Sequence, residues 1–506
     1  MTNDPVQKAK AIREPSLVDA LIPLLFMILL LTTSIVLFGI DAATGPLQVA
    51  LFMSAVVAAM VAHKNGHSWE RLGEEIVKGI SLAMSAILIL LMVGALIGVW
   101  NMSGTIATMV YYGVKYIDPA WFYFAAALLC GLVGLVTGSS WSTAATLGVA
   151  FIGMASAIGA SPAITAGAVI SGAYFGDKMT PLSETTILTP QIVGSDVYTH
   201  ISSLAKATIP AYLIALGMFF LIGRNVVVTV SASDTAAVLS ALETSYHISL
   251  WNLLPVFVLL LLGIKKYPAF LSILIGTLVG ALVAVVLQPQ IITAFANDPS
   301  LGYGLAALKS VWIAMANGFT STSGYEKIDA LFSGGGMESM LTTVWLILAA
   351  MSFGTMMDYG GFNKRLITPV VDRVKSTGGT IALVMFTALG FNIVAGDQYI
   401  AIVLPARMFM LEFRKRGLHP ETLATAVENS GTVTSPLIPW NSCGAYMTAT
   451  LGVSTFLYLP YCFFNFLNFL IGLIYGFVGI NIMRLPEDQA LPAELLTTVP
   501  LVVQDK

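Results

Sequence analysis

Two long stretches of this sequence contain no charged residue, and they limit the possible folds more than any other feature. They cover residues 119–176 and 429–483. A helix that crosses a bilayer needs roughly 20 apolar residues, so each stretch is long enough to cross or enter a membrane more than once. Only 10% of the whole chain is charged and 57% is apolar, whereas a soluble domain carries about 25% charged residues. The sequence therefore predicts an all-α polytopic membrane protein embedded in a lipid bilayer.

Clusters of lysine and arginine orient the predicted spans, because cytoplasmic loops are enriched in positive charge. The clusters assigned to the cytoplasm are residues 8–13, 64–78, 265–266, 364–375 and 414–416. The alternation of sides is consistent only if segments 119–158 and 380–411 each enter and leave on one side, as re-entrant hairpins do. The prediction is then about ten transmembrane helices plus two re-entrant hairpins and broken helices, in a bacterial inner membrane with both termini cytoplasmic.

An internal repeat organises these segments. A shift of 258 residues carries Gly138 onto Gly396 and Pro181 onto Pro439. Each half has an odd number of crossings, so the two halves are predicted to be inverted-topology repeats, an arrangement typical of secondary transporters. The predicted parts are a cytoplasmic N-terminal segment 1–16, a first membrane repeat 17–224, an extracytoplasmic linker 225–248, a second membrane repeat 249–483 and a cytoplasmic tail 484–506.

Two segments, 174–186 and 428–442, are too polar for the membrane depth at which they are expected to lie. Each has glycine and proline near its centre, where proline removes a backbone hydrogen bond and frees a carbonyl. Freed carbonyls are tolerated there only when they face protein or a wet cavity. Together with hydroxyls and a carboxylate, they form an oxygen cage suited to a hard cation. The repeat pairs these two segments and also pairs the two hairpin tips, so four unwound elements are predicted to converge.

The intramembrane carboxylates are functional candidates by default, but several also have a structural alternative. Asp177 and Lys178 are neighbours that could neutralise each other, and Glu428 could pair with Arg407 across the second hairpin. Asp397 has no basic residue close to it in sequence. A proton or a bound cation is therefore expected to neutralise Asp397.

The segment Gly-Asp-Lys-Met-Thr-Pro-Leu-Ser-Glu-Thr-Thr at 176–186 resembles the GDKMSPLSDTT signature of the NhaC family of Na⁺/H⁺ antiporters. Segments that begin at Gly396 and Asn429 are also similar to that family. The sequence departs from the signature at Thr180 and Glu184, and both substitutions retain the chemical type. The resemblance implies an ion-transporter fold with two inverted repeats, re-entrant hairpins and elevator-like motion. It also implies a substrate among Na⁺, protons, small organic anions and amino acids.

The leading hypothesis is a secondary active transporter that exchanges Na⁺ for H⁺ at a carboxylate site near the membrane midplane. Asp397 and Asp177 are the predicted Na⁺ ligands and proton carriers, and Glu184 is accessory. Neutral oxygens are predicted to complete the site, from Ser139, Ser140, Ser183, Thr185, Thr186, Gln398, Asn429, Ser430 and Asn441.

A second hypothesis couples Na⁺ or H⁺ to a small organic acid of the malate or lactate type, or to an amino acid. The amino-terminal ends of broken helices favour a carboxylate group, although only Arg407 could serve as an arginine clamp. The sequence has no phosphate-binding P-loop and no nucleophile–base pair or metal triad, so neither ATP drive nor an enzyme is expected. No cofactor beyond the transported ions is expected, and a net charge of −3 gives no nucleic-acid signature. A homodimer is left open.

Overall fold

The computed structural model describes residues 12–225, 232–371 and 373–485. Within these residues the chain is built from helices, and β-structure is confined to two isolated bridges. Nine helical segments of the described part are long and apolar enough to cross a membrane, and two bent helix pairs bring that number to eleven. The predicted all-α polytopic class, with about ten spans, is confirmed.

Within the described residues, the first half and the linker contain eleven α-helices. They are α1 (Leu17–Phe38), α2 (Pro46–Lys64), α3 (Trp69–Met102), α4 (Thr105–Tyr116), α5 (Phe122–Thr137), α6 (Ser140–Thr143), α7 (Val149–Ile158), α8 (Pro162–Lys178), α9 (Glu184–Val193), α10 (Val197–Asn225) and α11 (Ala232–Ser245). A π-helical turn, Ala144–Gly148, joins α6 to α7. Parts of the predicted N-terminal segment, linker and tail lie outside the described residues.

The second half contains fourteen further α-helices within the described residues. They are α12 (Leu254–Ile264), α13 (Ala269–Leu287), α14 (Pro289–Ala296), α15 (Tyr303–Ala316), α16 (Glu326–Phe332), α17 (Leu341–Tyr359), α18 (Phe362–Val371), α19 (Thr377–Val394), α20 (Gln398–Lys415), α21 (Pro420–Glu428), α22 (Gly431–Thr434), α23 (Ser442–Leu451), α24 (Thr455–Tyr458) and α25 (Phe463–Val478).

The first predicted hairpin reverses the direction of the chain. Helix α5 ends at Gly138, whose φ of +66° is a conformation that favours glycine, and α6 begins two residues later. After α7, the backbone N–H of Ser161 donates to the hydroxyl of Tyr123 at 2.8 Å. The segment therefore returns to the end at which it began. Each of its arms is also long enough to cross a membrane, so its depth stays a prediction.

The second predicted hairpin has the same form. Gly396, again with a φ of +66°, separates α19 from α20. At the far end of α20, the guanidinium of Arg416 donates to the hydroxyl of Thr380 at 2.5 Å and to the carbonyl of Val374 at 2.6 Å. The end of α20 therefore lies beside the start of α19, and this segment also returns to the end at which it began.

The 258-residue shift aligns helix boundaries as well as identical residues. It carries α9 onto α23 residue for residue, and it carries the starts of α6 and α8 onto the starts of α20 and α21. Both α8 and α21 begin with proline at the first helical position, after a residue whose side chain caps the helix. Proline fits there because its missing N–H would have no helical partner. The same local chemistry therefore builds both halves.

Two pairs of helices from opposite halves run antiparallel. Thr189, within α9, donates to Glu428 at the end of α21, and Ser195, just beyond α9, donates to Glu421 near the start of α21. Helices α10 and α25 also run in opposite directions, because residues later in α10 contact residues earlier in α25. Inverted repeats would produce the second pairing, because the 258-residue shift carries α10 onto the segment that contains α25. Inversion of the complete halves stays a prediction.

Candidate functional site

A cavity of about 630 Å³ lies where the two hairpin tips meet the break between α8 and α9. Helix α3 and the loop between α12 and α13 close its other sides. Eight of the twelve residues proposed from the sequence line this cavity: Ser139, Ser140, Asp177, Ser183, Glu184, Thr185, Asp397 and Gln398. The predicted convergence of both tips with the first break is therefore present in the structure, whereas the roles of these residues stay predictions.

Asp177 lies in the last turn of α8 and is held by the first hairpin tip. Its Oδ2 accepts the backbone N–H of Ser140 at 3.1 Å and the hydroxyl of Ser140 at 2.7 Å. The preceding residue, Ser139, caps α6 by accepting the N–H of Ser142 at 3.2 Å. Asp177 is only 7% exposed. A buried carboxylate thus receives two neutral donors from the tip.

Asp397 lies at the second hairpin tip and caps α20. Its Oδ1 accepts the N–H of Ile400 at 3.1 Å, and its Oδ2 accepts the hydroxyl of Ser442 at 3.2 Å. The side chain is 8% exposed, and within the described part of the chain it forms no ion pair with a basic residue. Ser442 was not predicted, although it follows the predicted Asn441 directly.

Glu184 connects the first break to the second tip. The hydroxyl of Tyr399 donates to its carboxylate, and Tyr399 follows the predicted tip pair Asp397–Gln398 in sequence. Glu184 is exposed and lines the cavity. It therefore differs from the two buried aspartates, because water reaches it directly.

Four of the proposed residues do not line the cavity: Thr186, Asn429, Ser430 and Asn441. Three of these side chains satisfy nearby backbone groups, as buried polar side chains commonly do. The hydroxyl of Ser430 donates to the carbonyl of Met385 at 2.5 Å, and Thr186 donates to the last carbonyl of α8. Asn441 caps α23 by accepting the N–H of Cys443 at 3.0 Å. Asn429 instead contacts a lysine.

Lys178 does not pair with Asp177, its neighbour in sequence. Its Nζ points to the second break, where it contacts Asn429 and two further oxygens. The other ion pair considered from sequence is also absent from the described residues. Glu428 accepts hydroxyls of two threonines, while Arg407 is exposed and does not line the cavity. Arg407 therefore does not supply an anion clamp here.

Aromatic side chains complete the cavity wall, and the sequence did not indicate them as site residues. Trp141, just after the first tip, stacks on Tyr446 with ring centroids 3.9 Å apart. The 258-residue shift carries Trp141 onto Tyr399, so both tips present an aromatic residue at the same position. This match between the two tips was the sequence pattern that could have identified both aromatic residues as part of the cavity wall. Lys266 and Tyr267 also line the cavity, from the loop between α12 and α13.

These features define a polytopic membrane protein with a polar, carboxylate-lined cavity between two helix hairpins. The sequence pattern of the Na⁺/H⁺ antiporter family matches residues 5–189 and 172–480. The chain therefore belongs to the Na⁺/H⁺ antiporter family, and the resemblance to NhaC proteins seen in the signature segment is confirmed.

Three relatives illustrate the range of that family. The Na⁺/H⁺ antiporter NhaC of Alkalihalophilus pseudofirmus is 34% identical over 435 residues, which cover 86% of this chain and 91% of the relative. The malate-2H⁺/Na⁺-lactate antiporter of Bacillus subtilis is 32% identical, with 93% and 96% covered. The arginine/ornithine antiporter ArcD of Halobacterium salinarum is 32% identical, with 94% and 95% covered.

Proposed function

We propose that this protein exchanges Na⁺ for H⁺ across the membrane, with Asp177 and Asp397 as the groups that bind either ion. The observation that carries the proposal is that both buried carboxylates line one cavity and that the structure gives neither of them a basic partner within the described residues. A buried charge without a partner is costly. A proton or a cation removes that cost, and competition between the two at one site produces exchange.

Neutral oxygens of the same cavity are suited to a Na⁺ ion. The hydroxyls of Ser140 and Ser442 contact the two carboxylates, and Gln398 and Ser183 line the wall nearby. Hard cations take carboxylate, hydroxyl and amide oxygens as ligands. We assign Glu184 an accessory role, since it is exposed and provides a carboxylate at the entrance.

The cavity is proposed to open to the cytoplasm, with both termini on that side of a bacterial inner membrane. Its wall includes Lys266, which belongs to a lysine pair assigned to the cytoplasm. Lys266→Cys, in a variant without native cysteines, is expected to react with an impermeant thiol reagent only from the cytoplasmic face. Ser240→Cys, in the predicted outer linker, is expected to react only from the opposite face. The reverse pattern would overturn this orientation.

Proteoliposomes with an imposed pH gradient and a pH-sensitive dye test the exchange directly. Na⁺ added alone is expected to dissipate the gradient, and Asp397→Asn is expected to abolish that response. Asp41→Asn is the matched control, because Asp41 is exposed and lies outside the cavity. An unchanged response in Asp397→Asn would contradict the assignment. We expect no cofactor to be needed.

A second candidate function is favoured by the size of the cavity. A volume of about 630 Å³ falls within the roughly 300–1,000 Å³ of small-molecule sites and exceeds what one Na⁺ requires. Relatives named for malate, lactate, arginine and ornithine belong to the same family. If the gradient dissipates only after one of these solutes is added with Na⁺, the organic-solute exchanger replaces the simple antiporter.

A further inference from the structure

Lys178 is a fully buried lysine whose ammonium is surrounded by oxygen atoms. Its Nζ donates to the backbone carbonyl of Glu428 at 3.1 Å, to Oδ1 of Asn429 at 2.6 Å and to Oδ1 of Asn468 at 3.4 Å. The side chain is 0% exposed. Within the described residues it has no carboxylate partner at ion-pair distance, which is unusual because buried lysines are rarely found unpaired.

The three contacts match a protonated amine. An ammonium has three donors and no acceptor, and each contacting atom is an acceptor oxygen. Two further hydrogen bonds hold the side-chain amides of Asn429 and Asn468 in place around the ammonium. Nδ2 of Asn468 donates to Oδ1 of Asn429 at 2.9 Å, and the hydroxyl of Thr208 donates to Oδ1 of Asn468 at 3.1 Å. Both amide oxygens are thereby directed towards Nζ of Lys178.

The same oxygens form a ligand set that a metal cation of the alkali type would accept. One carbonyl belongs to the residue where α21 ends, and two amide oxygens complete the set. The carboxyl ends of α8 and α21 meet at this point, and helix carboxyl ends carry partial negative charge. The second break is therefore a place where a positive charge is stabilised, and the lysine provides it from the first half of the chain.

We propose that the second helix break is a cation site that the Lys178 ammonium fills. The 258-residue shift carries Lys178 onto Pro436, so the second half supplies no corresponding tethered cation to the first break. Of these two places, the cavity beside Asp177 and Asp397 then remains for a transported cation. This last consequence rests on the proposed exchange function, whereas the filled site itself does not.

Thermal unfolding of the purified full-length protein tests the filled site. Lys178→Ala leaves the oxygens without their cation, so methylammonium chloride is expected to raise the Tm of this variant saturably, by about 2 °C or more, since a ligand that binds only the folded state stabilises it. Wild type and Lys178→Met are the controls, because their side chains still occupy the space. Choline chloride at equal concentration corrects for ionic strength. A methylammonium response in Lys178→Ala no larger than in Lys178→Met would overturn the proposal.

A second variant tests the charge if Lys178→Ala fails to fold. Asn429→Asp retains the acceptor oxygen and adds negative charge beside the ammonium, so it is expected to raise Tm in the wild type and lower it in Lys178→Met. Equal lowering in both backgrounds would overturn the proposal, because it would mean that no positive charge resides there. Neither measurement depends on transport, so a failed exchange assay with a positive Tm result contradicts only the proposed function.

Discussion

The two hairpins have the same form, but each half of the chain carries its acidic residue at a different position. In the first half the acid, Asp177, lies on the broken helix, and the tip residue Ser140 donates to it. The 258-residue shift carries this pair onto Ser435 and Gln398, where the hydroxyl donates to the tip amide at 3.0 Å. In the second half the acid is at the tip itself, as Asp397. The 258-residue shift therefore pairs equivalent positions of the two halves, and the acidic residue occupies a different one of these positions in each half.

Moving the first acid to its counterpart position should produce the largest effect. Asp177→Ser is expected to reduce Na⁺-dependent proton flux by about 100-fold or more, because a charged ligand of the cavity is lost. Adding Ser435→Asp is expected not to restore flux, since Ser435 does not line the cavity. Flux is measured in proteoliposomes. Recovery in the double variant would show that the two halves are functionally interchangeable.

The two tip glycines should differ in their tolerance of a side chain. Gly138→Ala and Gly396→Ala both place alanine at a φ of +66°, which costs about 1–2 kcal/mol. At Gly138 the added Cβ would also lie 2.7 Å from the backbone carbon of Leu182, whereas at Gly396 its nearest neighbour is the Ala350 side chain at 2.8 Å. We expect the larger fall in Tm for Gly138→Ala. Equal falls would indicate that the first break adjusts freely.

The hydroxyl of Ser140, which donates to Asp177, should matter more to Na⁺ than the hydroxyl of Ser435, which donates to Gln398 in the second half. Ser140→Ala removes one of two donors to Asp177, and a hydrogen bond to a charged group contributes about 1.5–3 kcal/mol. We expect the Na⁺ concentration for half-maximal flux to rise about tenfold. Ser435→Ala is the paired control, with less than a threefold change expected. Similar changes in both variants would remove the proposed difference between the halves.

The smallest effect is expected at the hydrogen bond between Tyr399 and Glu184, one of the contacts between the two halves. Tyr399→Phe removes the hydroxyl that donates to Glu184 while retaining the ring. Because Glu184 is exposed, water replaces the lost donor, and we expect flux to fall by less than about fivefold with Tm unchanged. A loss as large as that of Asp177→Ser would give this contact a central role in transport.

Several features of the fold were predictable because they depend on short stretches of sequence. Charge-free runs predict membrane spans, because the free energy of transferring a residue into lipid depends largely on that residue and its immediate neighbours. Gly138 and Gly396 mark the tips because a positive φ favours glycine wherever it occurs. The polar breaks were visible for the same reason, as glycine and proline interrupt helices locally. Asp397 could therefore be assigned to a hairpin tip before its surroundings were known, whereas Asp177, also predicted in an unwound segment, lies in the last helical turn of α8.

The partners of these residues could not be predicted, because they come from distant parts of the chain. Ser430 and Asn441 are polar residues of a broken segment, like residues that line the cavity. In the folded chain, however, Ser430 donates to the carbonyl of Met385 and Asn441 accepts the N–H of Cys443. Which hydroxyl faces the cavity depends on helix rotation, and packing of the whole bundle sets that rotation. Ser442 was missed because only the folded chain places it beside Asp397.

Hydropathy, glycine and proline act locally, so the amino-acid sequence was sufficient to identify a helical membrane protein with two broken, hydroxyl-rich segments and a family signature. The carboxylates that share a cavity and the charge that fills the second break became known from the folded chain. Lys178 shows the reason most clearly. Its partner Glu428 lies 250 residues away in sequence. This contact forms because the packing of the helices brings the end of α8, at Lys178, beside the end of α21, at Glu428.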